Sequence, residues 1–330
     1  MKIFFATLSP MLTLFACMAI GFIMSKAKVL PDSSSKVMAR LETWVFCPAL
    51  NFVTMARYCT IETLSVHAVN VIMASISVAI SMGIAILASR FFVKERGAER
   101  GIYSYALAFA NSGYIGDPIV LALFGESVLA YYKLFCLPLT LVIYTWGISV
   151  LTPKQSTNGS VIKRLLNAPT VAMLAGIAFG LSGAGECLPG FAVTTLDSLK
   201  ACMGPVGMLL AGVTIAKYNV LEMLKNVKVY IASFLRLIVI PTVVIAVLWA
   251  FKTFANQLFN MNIDNDVLFL CLFALAAPLG LNTVVFPEAY GGDPKTGAAM
   301  TMISHTLCVV TIPLMYAFAT GVLGAHFVGL

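Results

Sequence analysis

Asn111-Ser112-Gly113-Tyr114-Ile115-Gly116-Asp117-Pro118 lies in the middle of one apolar segment, and Ala277-Pro278-Leu279-Gly280-Leu281-Asn282 lies in the middle of another. Both stretches are rich in residues that end helices: glycine, proline, and Asn or Asp that bond nearby backbone. Lipid cannot satisfy the amides and carbonyls a broken helix exposes, so such a break survives only inside protein or beside a polar cavity. Corresponding breaks in two halves of a chain predict a substrate site at mid-membrane depth.

The surrounding composition agrees. Of 330 residues, 60% are hydrophobic and only 11% charged, with a mean hydropathy of +0.95, which describes a polytopic membrane protein. Ten apolar stretches approach the roughly 20 residues of a spanning helix: 4–25, 36–55, 66–92, 101–123, 127–151, 168–183, 193–216, 228–252, 266–288 and 296–320. The expected fold is therefore all-α, with ten transmembrane helices. The fourth and ninth are broken.

Lys and Arg alternate between connections. Lys26, Lys28, Lys36 and Arg40, then Arg90, Lys94, Arg96 and Arg100, then Lys154, Lys163 and Arg164, then Lys217, Lys225 and Lys228 mark the odd-numbered ones. The even ones hold Arg57, Lys133, none, and Lys252. Cytoplasmic flanks are enriched in basic residues, so odd connections are expected inside and both termini outside the cytoplasm, in the cell membrane. The net charge of +7 is then a topology signal and implies no nucleic-acid partner. The run after Met1-Lys2 continues into a basic flank, which describes a full span and not a signal peptide. Asn158-Gly159-Ser160 fits a glycosylation acceptor but falls on the predicted cytoplasmic side, where it reads as linker.

Eight cysteines form no CxxC pair and no zinc spacing, so no metal is expected. Cys59 and Cys187 share the predicted outer side, and a disulfide between them stays open.

The chain also repeats itself. Ala56 to Leu64 matches Ala216 to Leu224 in six chemically similar positions, each after the second span of its half. Pro48 and Pro205 lie within those spans, and Gly113, Ala122, Gly125 and Glu126 align without gaps onto Gly280, Ala289, Gly292 and Asp293. Five spans per unit is odd, so the halves, 1–151 and 163–330 around a cytoplasmic linker at 152–162, must enter the membrane in opposite senses.

If each broken span restarts as a helix at mid-depth, unpaired amides and the positive end of a dipole face the gap, an arrangement that stabilises an anion. Asn111, Ser112, Asn282 and Thr283 add donors and acceptors, and Gly113 and Pro278 join them as expected substrate-binding residues, the glycine letting backbone approach the ligand closely. Asp117 is a carboxylate inside a membrane segment, which fits proton or cation coupling; placed before Pro118 it also fits a helix N-cap. Arg236, in the eighth span, must find a carboxylate, carbonyls or water, and is assigned to charge compensation or gating. His305 can titrate near neutral pH and joins the coupling candidates. Asp197 and Lys200 can pair locally, and Glu288 and Asp293 fall at the inner end of the ninth span. Gly113 to Asp117 is close to an intramembrane aspartyl protease signature, but its spacing differs and no second mid-membrane Asp faces it. Catalysis is not expected.

Asn111 to Gly125, Asn282 to Asp293 and Ile312-Pro313-Leu314 resemble the auxin efflux carrier family over nearly the whole chain. The resemblance implies a five-plus-five inverted fold akin to bile acid sodium symporters. Spans 1, 2, 6 and 7 would form a scaffold and homodimer surface, and spans 3–5 and 8–10 a transport domain with crossed helices. Gly204, Gly207, Ala211 and Gly212 suit close packing in that scaffold. Plant members carry proline before the first-crossover Asn and a long cytoplasmic loop; Ala110 and the short linker make this chain similar to bacterial members associated with malate, malonate or related acids. The expected function is secondary transport of a small organic anion by an elevator movement, with coupling to protons or sodium open. A carboxylate-sensing membrane receptor is the alternative, and an intramembrane hydrolase a distant third.

Overall fold

The computed structural model of the chain describes residues 2–66, 68–95, 97–152, 166–259, 263 and 265–323. Positions 153–162 of the expected linker, with Lys154 and Asn158, and Lys163 and Arg164 just after it, lie outside the described residues. Among those described, the fold is all-helical, and a single bridge between Ala110 and Leu279 is its sole β-like pairing. In chain order the helices are α1 (Lys2–Lys26), α2 (34–58), α3 (Ala68–Phe92), α4 (Ala98–Ala108), α5 (112–135), α6 (137–151), α7 (Ala168–Ser182), α8 (Gly190–Ala216), α9 (227–259), α10 (Asp266–Leu275), α11 (Asn282–Tyr290) and α12 (Pro294–Leu323).

Ala68–Phe92, Gly190–Ala216, Val227–Leu258 and Pro294–Val322 are each long and apolar enough to cross a membrane unaided. The others are shorter or interrupted, for readable reasons. α4 stops where Phe109 turns extended (φ −122°, ψ 129°), and Asn111 caps the restart. α10 stops ahead of Ala277-Pro278, because proline lacks an N–H and pushes the preceding residue out of helical geometry. Short helices at Ile61–Val66 and Val220–Leu224 follow α2 and α8, so the two mutually similar sequence stretches take the same local shape.

Four helices contain a π turn: Glu42–Phe46 in α2, Ser112–Gly116 in α5, Ile143–Gly147 in α6 and Leu235–Val239 in α9. An extra residue in one turn re-aims the side chains that follow, which is why such turns collect at functional sites. Here Glu42, Tyr144 and Arg236 all come from π turns and all reach the neighbourhood of the two breaks.

The helices pack in two sets. α1 lies along α8, and α2 along α7 and α8. At Gly21 and Gly212 an added Cβ would strike the backbone of Leu209 and Met18, so α1 and α8 meet main chain to main chain. α3 packs on α4 and α5, α9 on α12 and α10, and α10 on α5. The outer surface is apolar, with Leu12, Trp44, Phe91, Trp249 and Leu314 exposed, while Glu42, Asn111, Arg236, Thr283, Ser304 and His305 are buried. An apolar exterior with the polar side chains held inside an otherwise apolar core suits a chain whose solvent is lipid.

Candidate functional site

The two breaks meet. Ala110 and Leu279 form the antiparallel bridge, and the Asn111 N–H donates to the Pro278 carbonyl at 2.7 Å. Each break thus satisfies backbone groups of the other, which is how two interrupted helices coexist in an apolar medium. Asn111 is the N-cap of α5: its Oδ1 accepts from the Tyr114 N–H at 3.3 Å, and its Nδ2 lies 3.0 Å from His305 Nε2. With the amide so oriented, Nε2 of His305 accepts. The ring proton is then on Nδ1, 3.4 Å from the Ser304 hydroxyl, which itself accepts from the Leu279 N–H at 3.2 Å. His305 is therefore a neutral strut with both nitrogens engaged.

Several amides expected to be free are in use. Ile115 and Gly116 donate to the Asn111 carbonyl, Thr283 to Gly280, and Val284 and Val285 to Leu281. The helix starts consume most of their own donors, because the π turn and the tight Gly280-Leu281 turn fold carbonyls back over them. Side chains and the first residues of α5 then face the open space.

That space is a cavity of about 60 Å³, lined among others by Asn111, Ser112, Gly113, Asp117, Lys133 and Asn282. Asn282 Nδ2 donates to the Tyr105 hydroxyl at 2.8 Å, while its Oδ1 is buried without a partner among the described residues. Thr283, fully buried, bonds the Gly280 carbonyl at 2.9 Å. Pro278, Thr283, His305 and Arg236 stand behind the wall, not in it.

Asp117 is ion-paired with Lys133, their side chains 17% and 8% exposed. In an unbroken helix these residues would be roughly 24 Å apart. Gly125, with φ 80° and ψ −175°, breaks the helix in a conformation that is essentially glycine-only. The chain can then fold back so that positions eight residues before and after the break face each other. The N-cap reading of Asp117 is corrected by this geometry: the helix starts at Asn111, and Asp117 continues it with φ −56° and ψ −53°.

Arg236 is fully buried and its Nη1 donates to the carbonyls of Leu107 and Ala108 at 3.0 and 3.2 Å. It caps the C-terminus of α4, where orphan carbonyls and the negative dipole end favour a cation. Of the partners expected for it, carbonyls are the ones found.

Two clusters mark opposite ends of α8. At its start, Asp197 pairs with Arg57 at 3.2 Å and with Lys200 at 4.0 Å. Past its end, Lys217 reaches Glu288 at 3.0 Å and Ser35, and Ser35 donates to Glu288 at 3.1 Å, tying α2, α8 and α11 together. A larger space of about 440 Å³ opens from the cavity toward the first cluster, sharing Gly113, Tyr114, Asp117, Lys133 and Met203 with it. The second cluster stands at the other end.

Sequence reasoning missed Lys133, Tyr105, Tyr114 and Glu42. Tyr114 donates its hydroxyl to buried Glu42 at 3.1 Å, and Cys47 lies 4.0 Å from the same oxygen. Ionisable residues inside otherwise apolar stretches were the available signal for Lys133 and Glu42. Cys59 and Cys187 are free thiols, the first buried and the second exposed.

A family profile described as a membrane transport protein matches residues 6–160 and 154–316. An uncharacterized transporter of Methanothermobacter thermautotrophicus is 26% identical over 215 residues, which cover 64% of this chain and 69% of the relative.

Proposed function

The chain belongs to the auxin efflux carrier family of membrane transport proteins, and from that premise we propose that it is a secondary active carrier of a small organic anion, a carboxylate of the size of malate, malonate or an auxin-like acid. The observation that carries the reading is the crossing of the two breaks beside a small cavity whose lining includes Asn111, Ser112, Asn282 and the Asp117–Lys133 ion pair. Paired breaks in two halves of a transporter are a recurrent setting for a substrate site, since irregular backbone is tolerated where it is buried in protein or lines a cavity. The α5 start lends its positive dipole end to an anion. The open acceptor on Asn282 suits a hydroxyl or protonated carboxyl on the same ligand.

On this reading ten spans form two inverted five-span repeats. Span 4 comprises α4 and the first part of α5, span 5 the rest of α5 with α6, and span 9 comprises α10 and α11. The packing of α1, α2, α7 and α8 into one set supports a scaffold, and the second set supports a transport domain; on this reading the scaffold is the homodimer surface and the transport domain slides as an elevator. Sliding would have to break bonds between the sets, among them Tyr114 to Glu42, Thr170 to the Tyr144 carbonyl, and Glu288 to Lys217, Thr214 and Ser35. Asp117 is the coupling group, and Arg236 and His305 support the crossover. With the termini extracytoplasmic, the larger space opens outward and the Lys217–Glu288 cluster closes the inner side.

The test is flux into proteoliposomes of mono- and dicarboxylates, including malate, malonate and indole-3-acetate, with and without a pH gradient. Saturable flux that falls in Asn282→Ala is expected. Saturable binding without flux would replace the carrier by a receptor.

A further inference from the structure

We propose that Lys133 is the cationic anchor for the substrate carboxylate and that Asp117 holds this anchor while the site is empty, so that one proton travels with each monoanion. The proposal rests on the carrier reading above and deepens it at the same cavity. Lys133 is the cation in the cavity lining, and its ammonium is ion-paired with Asp117. Both residues also line the larger space, so the pair stands where the two join. An anion arriving by that route meets an anchor already taken by a carboxylate.

Charge decides what happens next. The empty site sums to zero, Asp117 cancelling Lys133. A monoanion bound to Lys133 beside ionised Asp117 leaves one uncompensated negative charge in a low-dielectric interior, which is costly to bury and to move. The cost disappears when Asp117 takes a proton from water in the larger space. The proton adds to a carboxylate oxygen, and the ammonium keeps its three protons and turns to the substrate carboxylate, which accepts its hydrogen bonds. On the far side the anion leaves, the proton dissociates to water, and Asp117 rejoins Lys133. Loaded and empty sites are both neutral, so both cross. A dicarboxylate fits the same account when its second carboxyl is protonated.

Other ionisable groups stand around the pair, Tyr144 of the cavity lining among them. Asp197 and Lys200 of α8 and Tyr58 of α2 line the larger space, and Asp197 is paired with Arg57 and Lys200. Tyr114 lines both spaces with Glu42 fully buried behind it, and Cys136 lines the cavity. Tyr132, in α5, donates its hydroxyl to the Ser112 carbonyl at 3.2 Å. His305 has both ring nitrogens engaged.

The full chain in proteoliposomes, assayed with acetate, lactate, malonate and malate under imposed pH gradients and potassium diffusion potentials, tests this. Wild-type flux should consume one proton per monoanion and ignore the potential. Asp117→Asn leaves an empty site of charge +1 and a neutral loaded one. It should keep counter-exchange with a lowered KM, lose net flux, and lose pH dependence. Lys133→Gln should raise KM on the order of 30-fold or more, the scale for losing one partner of a buried charge pair. Asp117→Asn/Lys133→Gln, which removes both charges and keeps the shape, covers any folding defect of the single change and should show the same KM loss. Potential-driven flux, or normal KM in that double variant, overturns the anchor while the carrier reading stands. No flux of any probe overturns both.

Discussion

Asn111→Ala removes a side chain that makes two bonds at the centre of the crossover. The first is the cap to the Tyr114 N–H at 3.3 Å, whose loss costs about 1 kcal/mol. The second is the contact with His305 Nε2 at 3.0 Å; His305 is fully buried, and a buried acceptor left without a partner costs about 1–3 kcal/mol. The backbone bond to Pro278 stays, so the crossing itself persists. The sum is about 2–4 kcal/mol, and at roughly 2 °C per kcal/mol for a long chain the midpoint should fall by about 4–8 °C. Thermal unfolding of the ligand-free protein in detergent measures this without any substrate. Asn111→Asp keeps the cap acceptor and the volume, and its second oxygen accepts from His305 once the ring proton moves to Nε2, so both contacts keep a partner. An unchanged midpoint in Asn111→Ala refutes the argument that these bonds hold the crossover. A lowered midpoint with normal KM shows Asn111 to be architectural and not a ligand.

Further substitutions test the supports. Gly125→Ala meets no atom within 4 Å but must adopt φ 80°, so it should cost about 1–3 kcal/mol from backbone strain alone. Gly83→Ala, also in open space but inside helical α3, should stabilise by about 0.5–1 kcal/mol; the same assay reads both, and equal signs contradict the account. Arg236→Leu strands the Leu107 and Ala108 carbonyls and should remove about 3 kcal/mol or more, with Arg236→Lys intermediate, read as the monodisperse fraction on size exclusion. Gly212→Val drives a side chain into the Met18 carbonyl, where backbone cannot yield, and should cost about 1–3 kcal/mol; a wild-type midpoint would show that α1 and α8 separate freely.

Much of the helical layout was legible because its causes are local. Apolar run length and proline geometry act within a few residues, so the breaks could be read directly, while the cap was assigned to Asp117 and the structure puts it at Asn111. Arg236 shows where that stops. Its position inside a span required a partner, but backbone carbonyls carry no residue signature, and a linear reading cannot tell a carbonyl from a carboxylate 128 or 129 residues away. Lys133 was counted as a flanking charge because hydropathy placed it near the edge of a stretch; the break at Gly125 sets it against Asp117. Glu42 lay inside an apolar stretch unremarked, and its pairing with Tyr114 joins α2 to α5 across a π turn that no pattern announces.

The two interrupted segments, the all-helical class and the family were written in residue types, since each depends on chemistry that a residue carries wherever it sits. Folding settled which groups those interruptions leave open. Most amides of the restarting helices are consumed by turns, Pro278, Thr283 and His305 retreat behind the wall, and the cavity is lined by Asn111, Ser112, Asn282 and the Asp117–Lys133 pair. Hydrogen-bond satisfaction and charge pairing are properties of neighbours in space, and two breaks 167 residues apart become neighbours only when the chain crosses itself.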